Sequence, residues 1–176
     1  MPTFQIRQAN ASDQHDIAQM CAMLWPDSSF EEHRHEIGIV LDTAFYGTMP
    51  GTILLSTSCD GTAAGFLLVG LRSHADGCDT AQPVGFVEGW FVHQSFRGLG
   101  VGGSLMHAAE NWARRQGCTE LASDTWIDDA GSQDAHQALG FKIVDRCVHF
   151  RKTLWDHNKP DINPPKHSRV PTAVAP

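Results

Sequence analysis

VGFVEGWFVHQSFRGLGVGGSLMHAAENWARRQG, residues Val84 to Gly117, decides how this chain folds. Val84, Phe86, Trp90, Phe91 and Val92 are the aromatic and β-branched residues that suit a pleated, buried surface, and they predict a strand. Leu105, Ala108, Ala109, Trp112 and Ala113 recur at helical spacing, and Gly117 stands where a helix stops. Between strand and helix lies Arg97-Gly98-Leu99-Gly100-Val101-Gly102-Gly103. A glycine turn that opens into a helix presents unpaired backbone N–H groups and the positive end of the helix dipole, which suits a phosphate. Glycine at 100 and 102 lets the backbone approach such a ligand closely. A dinucleotide fingerprint would need its first glycine directly after the strand. A nucleotide-triphosphate loop would need Gly-Lys-Ser/Thr, and no lysine follows this turn.

Working outward, Thr3 to Arg7 reads as a strand. Asn10 or Ser12 caps a helix whose stripe is Ile17, Met20, Cys21 and Leu24, and Pro26 ends it. Ser28 or Ser29 caps a second helix toward Asp42. Thr43 to Gly51 reads as a loop. Thr52 to Ser58 and Ala64 to Leu71 are strands joined at Asp60-Gly61. After Gly117, Glu120 to Ser123 is a short strand. Asp128 to Gly131 is a turn, and Ser132 caps a helix that Gly140 ends. Phe141 to Lys152 is expected as a long last strand. The order predicts an α/β fold (α+β by other schemes), with a mixed, mostly antiparallel sheet covered by helices on both faces.

The 176 residues suit one domain, expected over 1–154. From 155 to 176 the chain is proline-rich and reads as a tail. A net charge of −7 argues against nucleic acid as a partner and fits a cationic small molecule better. Five cysteines without a C-x-x-C pair suggest neither a disulfide framework nor a zinc site. No signal-peptide core or membrane-length apolar run is present, so a cytoplasmic location is expected.

Arg97-x-x-Gly100-x-Gly102, set between that strand and that helix, resembles the pyrophosphate loop of the GCN5-related N-acetyltransferases (GNAT). The resemblance runs from Phe4 to Lys152. At finer grain the chain is similar to the bacterial aminoglycoside 6′-N-acetyltransferases. The matching residues are Leu24-Trp25-Pro26, Val87-Glu88-Gly89, Phe91-Val92, Ala122-Ser123-Asp124-Thr125, and His136 before Leu139-Gly140-Phe141. The chain departs from that branch in lacking a tyrosine in the loop from Ser73 to Pro83.

The resemblance implies direct acetyl transfer from acetyl-CoA to an amine in a ternary complex, with no metal, and a homodimer. Arg97, with Gly98, Leu99, Gly100, Val101, Gly102, Gly103 and Ser104, would hold the pyrophosphate. The Val92 amide would stabilise the developing oxyanion, and Gly89 is compatible with a bulge in its strand. Trp25 would wall the substrate site. Glu88 and Asp124 would bind the amine and take its proton, with either as the main base. His136 would protonate the leaving thiolate, since an imidazole can donate near neutral pH. Glu88 alternates with Phe86 and Trp90, which predicts one shared face. Each site residue also has an ordinary reading as a core side chain, a cap or a solvated surface group. Two alternatives share the fold: an acetyltransferase for another small cation or a protein N-terminus, and a CoA-binding module without catalysis.

Overall fold

The computed structural model describes residues 3–152, so the tail expected from 155 lies outside the described residues. The chain runs β1 (Phe4–Gln8), α1 (Gln14–Leu24), α2 (Phe30–Thr43), β2 (Phe45–Tyr46), β3 (Met49–Ser58), β4 (Ala63–Arg72), β5 (Val84–Val92), α3 (Val101–Arg115), β6 (Leu121–Ser123) and α4 (Ala130–Ala138). The sheet order is β1-β3-β4-β5-β6, with β2 paired to β3. Every pairing is antiparallel except β5 with β6. The mixed sheet follows from the connections: hairpins join the middle strands, while α3 carries the chain from β5 across to β6.

Local signals set the helix ends. Asn10 and Asp13 form a reciprocal cap on the short turn leading into α1, and Ser29 and Glu32 form another on α2. Asp129, rather than Ser132, caps α4: its Oδ1 accepts from the Ser132 N–H at 2.9 Å. The expected loop after α2 contains β2, which pairs Phe45 with Pro50 and Tyr46 with Met49.

The sheet carries a core on each face. Ile17, Met20, Cys21 and Leu24 of α1 and Ile37 and Val40 of α2 pack on Ile53, Leu55, Phe66, Leu68 and Phe91. On the other face, Leu105, Met106, Ala109 and Trp112 of α3 pack on Leu67, Val69, Val87, Trp90 and Val92. All nine residues of β5 are buried, so this strand is the axis of the molecule.

The expected last strand does not form, because residues 141–152 take no regular structure. Ile143, Val144 and Val148 are exposed and Phe150 is 94% exposed. Apolar residues make a strand only where a sheet edge receives them. The available edge, β6, is three residues long and offers few ladder positions.

Candidate active site

The site is built around an irregularity in β5. Leu68 pairs with Gly89 while its neighbour Val69 pairs with Val87, so Glu88 is an extra residue in the ladder. This is a β-bulge, and it shifts the alternation of side chains by one. Phe86 and Glu88 therefore do not share a face with Trp90 as plain alternation predicts. Trp90 packs in the core beneath α3. Glu88 is freed from that core and faces Arg72, near the end of β4.

Arg72 grips Glu88 with two hydrogen bonds, Nε to Oε1 at 2.9 Å and Nη2 to Oε2 at 2.6 Å. Its guanidinium lies 3.3 Å above the centroid of the Phe86 ring, so the cation is both paired and stacked. Burial pushes the Glu88 carboxyl above its ordinary range; Arg72 pulls it down, and Asp124 pushes it up again. The Asp124 charge acts on both the Glu88 carboxyl and the His136 ring, and the residue directly follows the last position of β6. Burial and the Glu88 carboxylate raise the Tyr46 phenol to about 12, so this tyrosine also borders the site.

Trp25 sits at the C-cap of α1 and lies against β5. A Cβ on Gly89 would stand 2.5 Å from Trp25 Cη2, so only glycine admits the indole at this depth. His33, on the buried face of α2, fixes the tryptophan from behind. Its Nε2 is 3.0 Å from the Trp25 carbonyl oxygen and its ring is 6.0 Å from the indole. A cavity of about 30 Å³ opens beside Trp25, His33, Glu36 and Tyr46, with room for a water molecule.

His136 is buried at 7% exposure, between the edges or faces of Trp90 and Phe141 at 5.5 and 5.2 Å. Its Nδ1 is 2.8 Å from the Ser132 carbonyl oxygen, and its Nε2 is 2.9 Å from Ser123 Oγ. Burial lowers its pKa, which keeps the ring neutral near pH 7. Both nitrogens are engaged, so a proton leaves or enters this imidazole through another group.

β5 and β6 pair only as far as Val87 with Ser123. Beyond that pair no ladder joins them among the described residues. The His93 N–H bonds back to Ala64 on β4 at 3.0 Å. Alternation then turns the Val92 N–H to the opposite edge, toward the gap that β6 leaves. The basic turn follows. Arg97 Nε donates to the Val92 carbonyl at 3.1 Å, tying the turn to the strand. Gly98 and Gly100 have φ of 73° and 81°, which glycine adopts without strain. No side chain caps the start of α3, and Gly98, Leu99 and Gly100 are exposed, so the first-turn amides of Val101, Gly102 and Gly103 suit an anion. Ser104 Oγ bonds back to the Gly100 carbonyl at 3.0 Å.

The structure thus brings Trp25, Glu88 and Asp124 toward one region and sets Val92 and Arg97–Ser104 farther along the same strand and turn. His136 lies behind Ser123. Sequence reasoning missed Arg72, His33, Glu36 and Tyr46. An arginine ending an otherwise apolar strand was a usable signal for Arg72; the others needed the fold. Two acids outside the site have structural work: Glu31 pairs with Arg34 at 3.0 Å, and Asp79 accepts from the Ala81 N–H at 2.9 Å. Among the described residues, no group of three or more His, Cys, Asp or Glu could hold a metal. None of the described helices is long and apolar enough to cross a membrane.

Known proteins share this fold. An aminoglycoside N(6′)-acetyltransferase type 1 of Klebsiella aerogenes is 40% identical over 149 residues, covering 85% of this chain and 96% of the relative. One from Stenotrophomonas maltophilia is 38% identical, covering 85% and 93%. Among solved structures, AAC(6′)-Iy in complex with the bisubstrate analogue CoA-S-monomethyl-acetylneamine superimposes with a TM-score of 0.77. It is 34% identical, with coverage of 86% of this chain and 99% of that one. AAC(6′)-Ih from Acinetobacter baumannii also gives 0.77, at 30% identity and 87% and 100% coverage. The sequence model of the acetyltransferase (GNAT) family matches residues 16–141, and the chain belongs to that family.

Proposed function

We propose that this protein transfers the acetyl group of acetyl-CoA to the 6′-amine of aminoglycosides, by direct attack within a ternary complex, and thereby confers resistance to them. The observation that carries the reading is the division of β5. Its bulged half carries Glu88, next to the Gly89 that meets Trp25 and under the charge of Asp124, and its far end leads into the uncapped glycine turn. A cationic amine fits the first and a pyrophosphate the second. Glu88 and Asp124 bind the ammonium, and one of them takes its proton. Arg97 and the amides from Gly98 to Ser104 hold the pyrophosphate. The Val92 N–H donates to the carbonyl oxygen as charge builds on it.

The assembly we propose is a homodimer. Exposed Ile143, Val144, Val148 and Phe150 form an apolar segment that a second copy could cover, and sedimentation would show one species of twice the chain mass. A cytoplasmic location goes with this reading, and the catalytic domain is assigned to 1–154.

Purified protein should release CoA when given acetyl-CoA with kanamycin or tobramycin. Glu88→Gln and Asp124→Asn should lower turnover far more than they weaken acetyl-CoA binding. Acetyl-CoA binding without CoA release across several 6′-amino aminoglycosides would sink the proposal, and turnover of another amine would replace it. Full turnover in both variants would remove the assigned roles.

A further inference from the structure

We propose that Ser123 and His136 form a two-residue proton relay, in which the Ser123 hydroxyl is the group that meets the reacting centre and the His136 imidazole is the reservoir behind it. The inference rests on the acetyl transfer proposed above. The hydrogen bonds fix its direction. A backbone carbonyl only accepts, so the 2.8 Å contact with Ser132 O places the imidazole proton on Nδ1. Nε2 of the neutral ring is then bare, and at 2.9 Å it accepts the hydroxyl proton of Ser123. Edge-on packing by Trp90 and Phe141 holds the ring in this orientation.

Ser123 stands at a decisive place. It ends β6, forms the last pair between β5 and β6, and precedes Asp124. Its partner Val87 is followed by the bulged Glu88. It is only half-buried, whereas His136 is enclosed. Ser123 is thus the less buried member of the pair, placed where the pairing of β5 with β6 stops.

Glu88 or Asp124 takes the first proton of the ammonium; when the resulting amine nitrogen bonds to the acetyl carbon, it loses a second proton to Ser123 Oγ as the hydroxyl proton passes to His136 Nε2. The ring becomes an imidazolium. When the C–S bond breaks, Ser123 gives a proton to the departing sulfur and recovers one from Nε2. One proton has moved from nitrogen to sulfur, and both side chains are restored. The charged groups acting on the ring are Asp124 and Asp129, and both favour the transient imidazolium. Ser132, Trp90 and Phe141 complete its surroundings and carry no charge.

Two measurements test the relay. Nitrogen-15 NMR of labelled histidine, with His136 assigned through His136→Gln, should show the proton on Nδ1 in the free protein; a proton on Nε2 would overturn the proposal without any substrate. Kinetically, Ser123→Ala should lower kcat about 10- to 100-fold, the range expected for losing a positioned proton carrier. Its CoA affinity should stay within about twofold, since a proton carrier acts on the chemical step rather than on binding. Ser123→Thr keeps the hydroxyl and should recover most of the rate. The double variant Ser123→Ala/His136→Gln should be no slower than His136→Gln, because the two act as one unit. Full activity in Ser123→Ala, no recovery in Ser123→Thr despite a normal melting temperature, or losses that multiply in the double variant would each refute the relay. A wild-type protein inert toward every aminoglycoside refutes the proposed function instead, a result distinguishable from an active wild type that tolerates Ser123→Ala.

Discussion

Replacing Arg72 by methionine removes the cation that holds a buried carboxylate through two hydrogen bonds. The Glu88 side chain is 7% exposed and that of Arg72 40%. Breaking a fully buried pair costs about 3–5 kcal/mol, and an exposed one about 0–1 kcal/mol. Partial exposure of Arg72 sets this pair between them, at roughly 2 kcal/mol near pH 8. The loss should depend on pH, and its sign is fixed. Burial already holds the Glu88 pKa above its unfolded value. A raised carboxyl favours the folded state below the unfolded pKa, near 4.3, and loses that advantage as pH rises through the folded value. Without Arg72 the folded value moves higher, and each added unit subtracts about 1.4 kcal/mol once both forms are ionised. Arg72→Met should therefore be only mildly destabilised at pH 5 and fully so at pH 8, where its melting temperature falls by about 4–8 °C. Urea unfolding at both pH values measures this. Adding Glu88→Gln should restore much of the loss at pH 8, because it removes the stranded charge. A deficit equal at the two pH values, or one that Glu88→Gln deepens, would refute the reasoning.

Gly89→Ala forces a Cβ to within 2.5 Å of Trp25, so the indole must move by about 1 Å or more to reach an ordinary carbon contact. The aminoglycoside KM should rise at least about tenfold, the equivalent of 1.4 kcal/mol, while that for acetyl-CoA is unchanged. Gly100→Ala meets no neighbouring atom but holds alanine at φ 81°, at a cost of about 1–2 kcal/mol. It should weaken CoA binding in calorimetry and leave aminoglycoside binding intact. Arg7 holds the Asp13 carboxyl below the usual range through paired hydrogen bonds of 2.7 Å, against the opposing effect of burial. That stability is present above the unfolded pKa, near 3.9, and disappears as pH falls through the folded value. Arg7→Gln should therefore be less stable than wild type at pH 7, and urea unfolding should show the difference shrinking as pH falls below the unfolded value.

Much of the frame is legible in the residues. Gly117 and Gly140 follow helices as expected, and the Val84–Gly117 unit folds as strand, turn and helix. The family and the basic turn follow from the same stretch. The face on which Trp90 lies was not legible, because one extra residue in a ladder changes every later side chain and leaves no mark in composition. The role of His33 depends on how α2 packs behind Trp25, which no spacing along the chain reveals. The last segment shows the reverse error. Its apolar residues satisfy a strand pattern, yet a pattern supplies only half of a ladder and the described residues do not supply the other half.

The bulge at Glu88 lets one strand serve two unlike environments. Upstream, β5 lends a carboxylate to the ion pair with Arg72; downstream, it lends an indole to an apolar floor beneath α3. The extra residue works as a change of phase between them. Deleting Glu88 would remove more than a charge: it would restore plain alternation and turn one half of the strand inside out relative to the other. Substitution should be tolerated by the fold far better than deletion, so Glu88→Gln should fold where a one-residue deletion does not.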